Sequence, residues 1–122
     1  MGTLNDYMVD QVSNSLVGLG SQLAAQLTVA LPAVAKRHNV VVKCDASYST
    51  STQSGLLQIL FGSTVVAHKI IHGAGAIDFG GLGHENRNAN EAVSAVLAAG
   101  AGGVTGYITL TAYTTGPRAG ET

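Results

Sequence analysis

From Leu27 onward the apolar residues recur at every second position, in short runs cut by glycine, proline and small polar residues. A two-residue period is the spacing of a strand, because successive side chains point to opposite faces of a sheet. Leu27, Val29 and Leu31 alternate with Thr28 and Ala30 until Pro32 stops the run. "NVVVKCDASYS" sets Val40, Val42, Cys44 and Ala46 on one face and Val41, Lys43, Asp45 and Ser47 on the other. "YITLTAYTT" sends Ile108, Leu110 and Ala112 inward and Tyr107, Thr109, Thr111 and Tyr113 outward. "AIDFG" reads as a short edge piece, 80–90 as a Gly/Asn-rich loop, and 47–54 as a polar loop. Residues 91–99 read as a strand, although their alanines also suit a helix. About seven strands with glycine-rich turns predict an all-β fold, an antiparallel β-sandwich that is jelly-roll-like.

One hairpin departs from the rule that a sheet buries one face and wets the other. "GLLQILFGSTVVAHKIIHG", residues 55–73, reads as two strands joined at Phe61-Gly62-Ser63-Thr64, and the second strand has no clean polar face. Val65, Ala67, Lys69 and Ile71 lie on one side of its second strand; Val66, His68, Ile70 and His72 lie on the other. Charged residues make up only 11% of the chain and apolar ones 46%, against roughly 25% charged in an ordinary domain. So little polar cover favours an oligomer or a part of a larger assembly, with a neighbouring copy or the N-terminal arm over the second face.

Ahead of the strands the period is different. Leu4, Met8, Val12, Leu16, Leu19, Leu23 and Leu27 recur at steps of three and four, an amphipathic helical stripe. Thr3 and Asp6 supply a capping box with a short acid, so a helix is expected over 3–17. Gly18 and Gly20 then break it, at roughly 1 kcal/mol each relative to alanine. The expected organisation is an N-terminal amphipathic helical arm over 1–25, a β-sandwich over 26–117 and a flexible tail over 118–122. A stripe of this kind must be covered by its own sandwich or by another surface, a neighbouring subunit or a host lattice; Leu4, Tyr7, Met8, Val12 and Leu16 are its expected partner contacts. Val66, His68, Ile70 and Tyr113 are the expected contacts between copies.

Several function classes lose support. A net charge of −1 with scattered basic residues argues against a nucleic-acid partner. "MGTLNDYMVD" lacks the basic and apolar regions of a secretory signal, and Asp6 stands where a myristoylation signal wants Ser or Thr. No apolar run reaches the ~18 residues of a membrane helix, and no membrane partner is expected. The lone Cys44, set among alternating valines, reads as a buried thiol.

Chemistry finds little footing. His68 and His72 on a strand stand about 13 Å apart, too far for one metal ion. His84-Glu85 opens like a zinc-peptidase motif, but position 88 is asparagine. "GAGAIDFGGLG" and "GAGGVTG" lack the Lys-Ser/Thr ending of a phosphate loop. "SYSTSTQS" offers hydroxyls without a Gly-x-Ser-x-Gly elbow or a placed base. No catalytic residue, metal ligand or cofactor is therefore expected. The tyrosines at 48, 107 and 113 suit cross-strand packing first and sugar contact second.

Three stretches, "ALPAVAKRHNVVVKCDASYSTSTQSGLLQIL", "HGAGAIDFGGLG" and "LAAGAGGVTGYITLTAYTTGP", resemble the small all-β structural proteins of tailed bacteriophages, such as head decoration (cement) proteins. The likeness spans about residues 29–117 and leaves the arm unmatched. It implies a non-enzymatic virion protein on the capsid surface, assembled in the host cytoplasm. It also implies a homotrimer seated on the major capsid protein by an N-terminal arm. A neck, tail or fibre component is the nearest alternative, and a carbohydrate-binding adhesion module is the alternative of another class.

Overall fold

The computed structural model describes residues 16–80 and 82–115. Residues 1–15 and 116–122, and with them Leu4, Tyr7, Met8, Val12 and the tail over 118–122, lie outside the described residues. The strands are β1 (Leu16–Leu23), β2 (Leu27–Leu31), β3 (His38–Tyr48), β4 (Ser54–Phe61), β5 (Thr64–His72), β6 (Ala74–Asp78), β7 (His84–Glu85), β8 (Val93–Leu97) and β9 (Thr105–Thr115). Among the described residues there is no helix.

Two antiparallel sheets carry the fold. The first has the order β1-β9-β3-β6, with the two-residue β7 pairing farther along β3; the second has the order β2-β8-β4-β5. A single residue pair, His72↔Ala74, links β5 to β6 at the corner between them. Most connections carry the chain from one sheet to the other, and β4–β5 is a hairpin within the second. Both sheets give their inward residues to one core. Val41, Cys44, Ala46, Ile108, Leu110 and Ala112 come from the first; Leu27, Val29, Leu57, Ile59, Val93, Ala95 and Leu97 come from the second. The alternating burial of β2, β8 and β9 follows the sequence period, and 93–97 is a strand in spite of its alanines.

The segment Leu16–Leu23 corrects the expected helix at residues 16 and 17 and the arm boundary at 25. It pairs with β9 from Leu16↔Ala112 to Leu23↔Thr105. A short run of leucines and glycines satisfies both periods, and the glycines decide for the strand. A Cβ on Gly20 would lie 2.7 Å from Val29 Cγ2 and 3.2 Å from Leu27 Cδ1. Only glycine lets β1 come this close to the side chains of β2 in the facing sheet.

Two bulges shift the facing of side chains from the sequence reading. On β3 the register slips between Val41 and Lys43, so Val41 joins Cys44 and Ala46 in the core. Val42 becomes the extra residue, half-buried and outside the core cluster. On β5 the register slips at Val66, because Ile59 pairs Ala67 while Leu60 pairs Val65. Val66 and Ala67 both pack against the core, and Val65 turns out to solvent at 43% exposure. Each bulge adds one residue to one strand and inverts the phase from there on.

Candidate interaction faces

The strand pairings fix which side chains share the outer face of the second sheet. One cross-strand row runs Thr28, Val96, Gln58, His68; the next runs Ala30, Ser94, Leu60, Val65. Leu56 opposite Ile70 and Ser54 opposite His72 extend the face toward one end. Ile70 is 60% exposed, and Leu56, Leu60 and Val96 are half-buried. No aspartate, glutamate, lysine or arginine stands in these rows. Lys69 sits at the edge, where its Nζ donates to the Ala76 carbonyl at 3.2 Å and guards the β5–β6 margin. His72 Nδ1 lies 2.8 Å from Ser54 Oγ, and His68 is exposed opposite Gln58.

The four residues expected to join copies are therefore not one patch. His68 and Ile70 share this outer face. Val66 is turned into its own core by the bulge. Tyr113 belongs to β9 in the other sheet, where its hydroxyl donates to the Leu82 carbonyl at 2.9 Å. Of the five arm residues only Leu16 is described, as the first residue of β1. Sequence reasoning missed Val65, Leu56 and Leu60 as surface residues. The signal was present in "LLQIL", where Leu56 and Leu60 flank Gln58 on the face opposite Leu57 and Ile59.

The outer face of the first sheet is of another kind. Ser47 pairs Tyr107, Asp45 pairs Thr109 and Lys43 pairs Thr111, while Ala74 and Ala76 flank Ser47 and Asp45 on the far side. Ser21 of β1 stands beside Tyr107. These residues shape an open groove of about 420 Å³ over Asp45, Ser47, Ala74, Gly75, Ala76, Tyr107 and Thr109. A second groove, about 330 Å³, lies on the Gly20–Ser21 side of Tyr107. Lys43 Nζ and Asp45 Oδ1 are 3.5 Å apart, both well exposed, which makes a weak pair in water.

At one end of the molecule the loop after β6 is fastened by polar contacts. His84 stacks between Phe61 and Phe79, with ring centroids 5.3 and 5.2 Å away. Buried Asn86 donates from Nδ2 to Glu91 Oε1 at 2.8 Å, and its carbonyl accepts from His38 Nδ1 at 2.8 Å. Asn39 Nδ2 donates to the Glu91 carbonyl at 2.8 Å. This network holds the loop in place, and the His84 ring is stacked against both phenylalanines. Burial, with a smaller push from Asp45, raises the Cys44 thiol to about 12, so the thiolate form a nucleophile needs is suppressed. Burial also raises the Tyr48 phenol, whose hydroxyl donates to the Ala98 carbonyl at 2.8 Å. Among the described residues no group of three or more His, Cys, Asp or Glu side chains is placed to hold a metal ion.

No family model, curated protein sequence or solved structure matches this chain significantly.

Proposed function

We propose that the chain is a non-enzymatic structural protein of a bacteriophage virion, a capsid decoration protein that forms homo-oligomers, with a trimer favoured. In this reading it sits on the capsid surface and reinforces the head by binding the major capsid protein. The observation that carries the reading is the outer face of the second sheet, whose paired rows hold no Asp, Glu, Lys or Arg and leave Ile70 and Val65 exposed beside half-buried Leu56. Burying one exposed isoleucine contributes about 1.5–3 kcal/mol, and a standard interface covers about 800 Å² per partner. A sheet face without fixed charge can meet another protein without stranding an unpaired ion. Such a face is costly in a solitary protein and useful in a lattice.

The fold supports the same reading by analogy alone. Two four-stranded sheets in the orders β1-β9-β3-β6 and β2-β8-β4-β5 match a jelly-roll reading of the sandwich. Jelly rolls build viral capsid proteins, and lectin and cupin domains as well.

Mixing the purified protein with empty heads and sedimenting the mixture tests the proposal. The wild type is expected to self-associate and to pellet with heads, and Ile70→Asp to lose both properties while keeping its fold. An Ile70→Asp protein with unchanged mass in solution and unchanged head occupancy refutes the reading. Deleting residues 2–15, which stops short of β1, tests attachment by the arm separately.

A further inference from the structure

We propose that the outer face of the first sheet binds a neutral oligosaccharide, with Tyr107 as the apolar platform and Asp45, Ser47 and Thr109 as hydrogen-bonding groups. This face lies on the other sheet from Ile70, and sugar binding there is independent of a virion role.

A sugar ring asks for two things at once: an aromatic surface for its C–H face and fixed polar groups for its hydroxyls. This face supplies both on adjacent strands. Tyr107 is 45% exposed, and its cross-strand neighbours are serines, Ser21 on one side and Ser47 on the other. Small neighbours leave an open groove on each side of it. Beside the tyrosine, Lys43, Asp45 and Ser47 project at every second residue of β3, opposite Thr111, Thr109 and Tyr107 of β9. The array runs about 13 Å along the strands, enough to lie along more than one pyranose ring. Ala74 and Ala76 keep the floor beyond it low, so the groove of about 420 Å³ stays open.

The chemistry of the lining narrows the ligand. Asp45 meets Lys43 through Oδ1 at 3.5 Å, and its second carboxylate oxygen remains to accept from sugar hydroxyls. Ser47 and Thr109 offer hydroxyls that donate or accept. Lys43 and the Lys69 ammonium, which donates to the Ala76 carbonyl, balance Asp45 and Asp78 around the groove, and a face with no excess charge suits a neutral sugar. Strands β3 and β9 share the longest run of pairs in the fold, from His38↔Thr115 to Tyr48↔Gly106. Side chains on such a ladder are held in place before the ligand arrives, which lowers the ordering cost of binding. Among the described residues the other two tyrosines do not compete for the role. Tyr48 is buried and bonded to Ala98, and the Tyr113 hydroxyl is spent on Leu82.

The test is an NMR titration of the full chain with maltohexaose, cellohexaose and chitohexaose at millimolar concentration. The expected result with at least one of them is a saturable set of amide shifts confined to residues 45–47, 74–76 and 107–109. Tyr107→Ala is expected to weaken that binding about tenfold or more. Tyr107→Trp should retain it, and Ala76→Gln should block it by filling the groove. Tyr107 is exposed enough that its truncation tests the site and not the fold, and far-UV circular dichroism checks this. No saturable shift with any of the three sugars, shifts elsewhere, or unchanged affinity in Tyr107→Ala each overturns the proposal. So does a change in the sedimentation coefficient of free Tyr107→Ala protein, which would make this face a contact between copies.

Discussion

Replacing Gly55 by alanine tests how closely the start of β4 passes over Tyr48. Tyr48 is 6% exposed and its hydroxyl donates to the Ala98 carbonyl at 2.8 Å. A Cβ on Gly55 would fall inside the contact radius of that hydroxyl and 2.8 Å from Tyr48 Cζ. The tyrosine would have to move, and its ring is held by the core. Losing the hydrogen bond costs about 1–1.5 kcal/mol, and forcing an extra methyl into a packed contact costs about 1–3 kcal/mol. Gly55→Ala should therefore destabilise by about 3 kcal/mol in urea unfolding followed by circular dichroism. In a thermal melt that is a fall of roughly 12 °C for a domain of this size. Tyr48→Phe alone should cost about 1.5 kcal/mol, because it also strands the Ala98 carbonyl. The double variant should cost about 1 kcal/mol less than the sum, since the same hydrogen bond is lost only once. A Gly55→Ala protein within about 0.5 kcal/mol of the wild type refutes the close approach. Strict additivity refutes the shared hydrogen bond.

Other outcomes follow from the same contacts. Native Cys44 should resist thiol reagents at pH 8 and react only as the chain unfolds; fast labelling of folded protein would contradict its burial. Its folded value, about 12, lies well above the 9.0 of a free thiol, so the native state holds the proton longer than the unfolded chain. This group then leaves stability unchanged below about pH 9 and lowers it by about 1.4 kcal/mol per pH unit between about 9 and 12. Urea melts across that range would show the slope, and stability rising with pH there would contradict the sign. Asn86→Ala should cost about 1–3 kcal/mol by stranding the groups that bond its side chain, Glu91 Oε1 and the Asn88 amide. Hydrogen exchange should then quicken in residues 84–91 before it does so in β3 or β9. Ile70→Asp should leave the melting temperature nearly unchanged, because the side chain is exposed in the isolated chain.

Strands with undisturbed alternation were legible residue by residue. In β2 and β9 the apolar positions 27, 29, 31, 108, 110 and 112, read as inward, are all buried, whereas 91–99 read as strand or helix and its facing came from the structure. The two-faced second strand of the hairpin was legible too, since both alternating sets of residues 65–72 carry apolar side chains. Facing failed where a strand carries an extra residue. Val42 on β3 and Val66 on β5 look like their neighbours in the sequence, and only the partner strand reveals that they oppose nothing. The same limit hid the groove beside Tyr107. Its members come from β3, β6 and β9, and the sequence does not say which outward residues become neighbours.

By itself the sequence determined that this chain is built of strands, where most of them run, and that the strand over 65–72 keeps apolar residues on both faces. Those properties follow from local period and turn chemistry, which act over a few residues. The tertiary structure decided that Leu16–Leu23 is a strand, because the approach of β1 to Val29 and Leu27 leaves room only for glycine at position 20. It also decided which side chains stand beside Tyr107 and beside Ile70. Register between distant strands is a long-range property, set by bulges and by the closure of two sheets on one core.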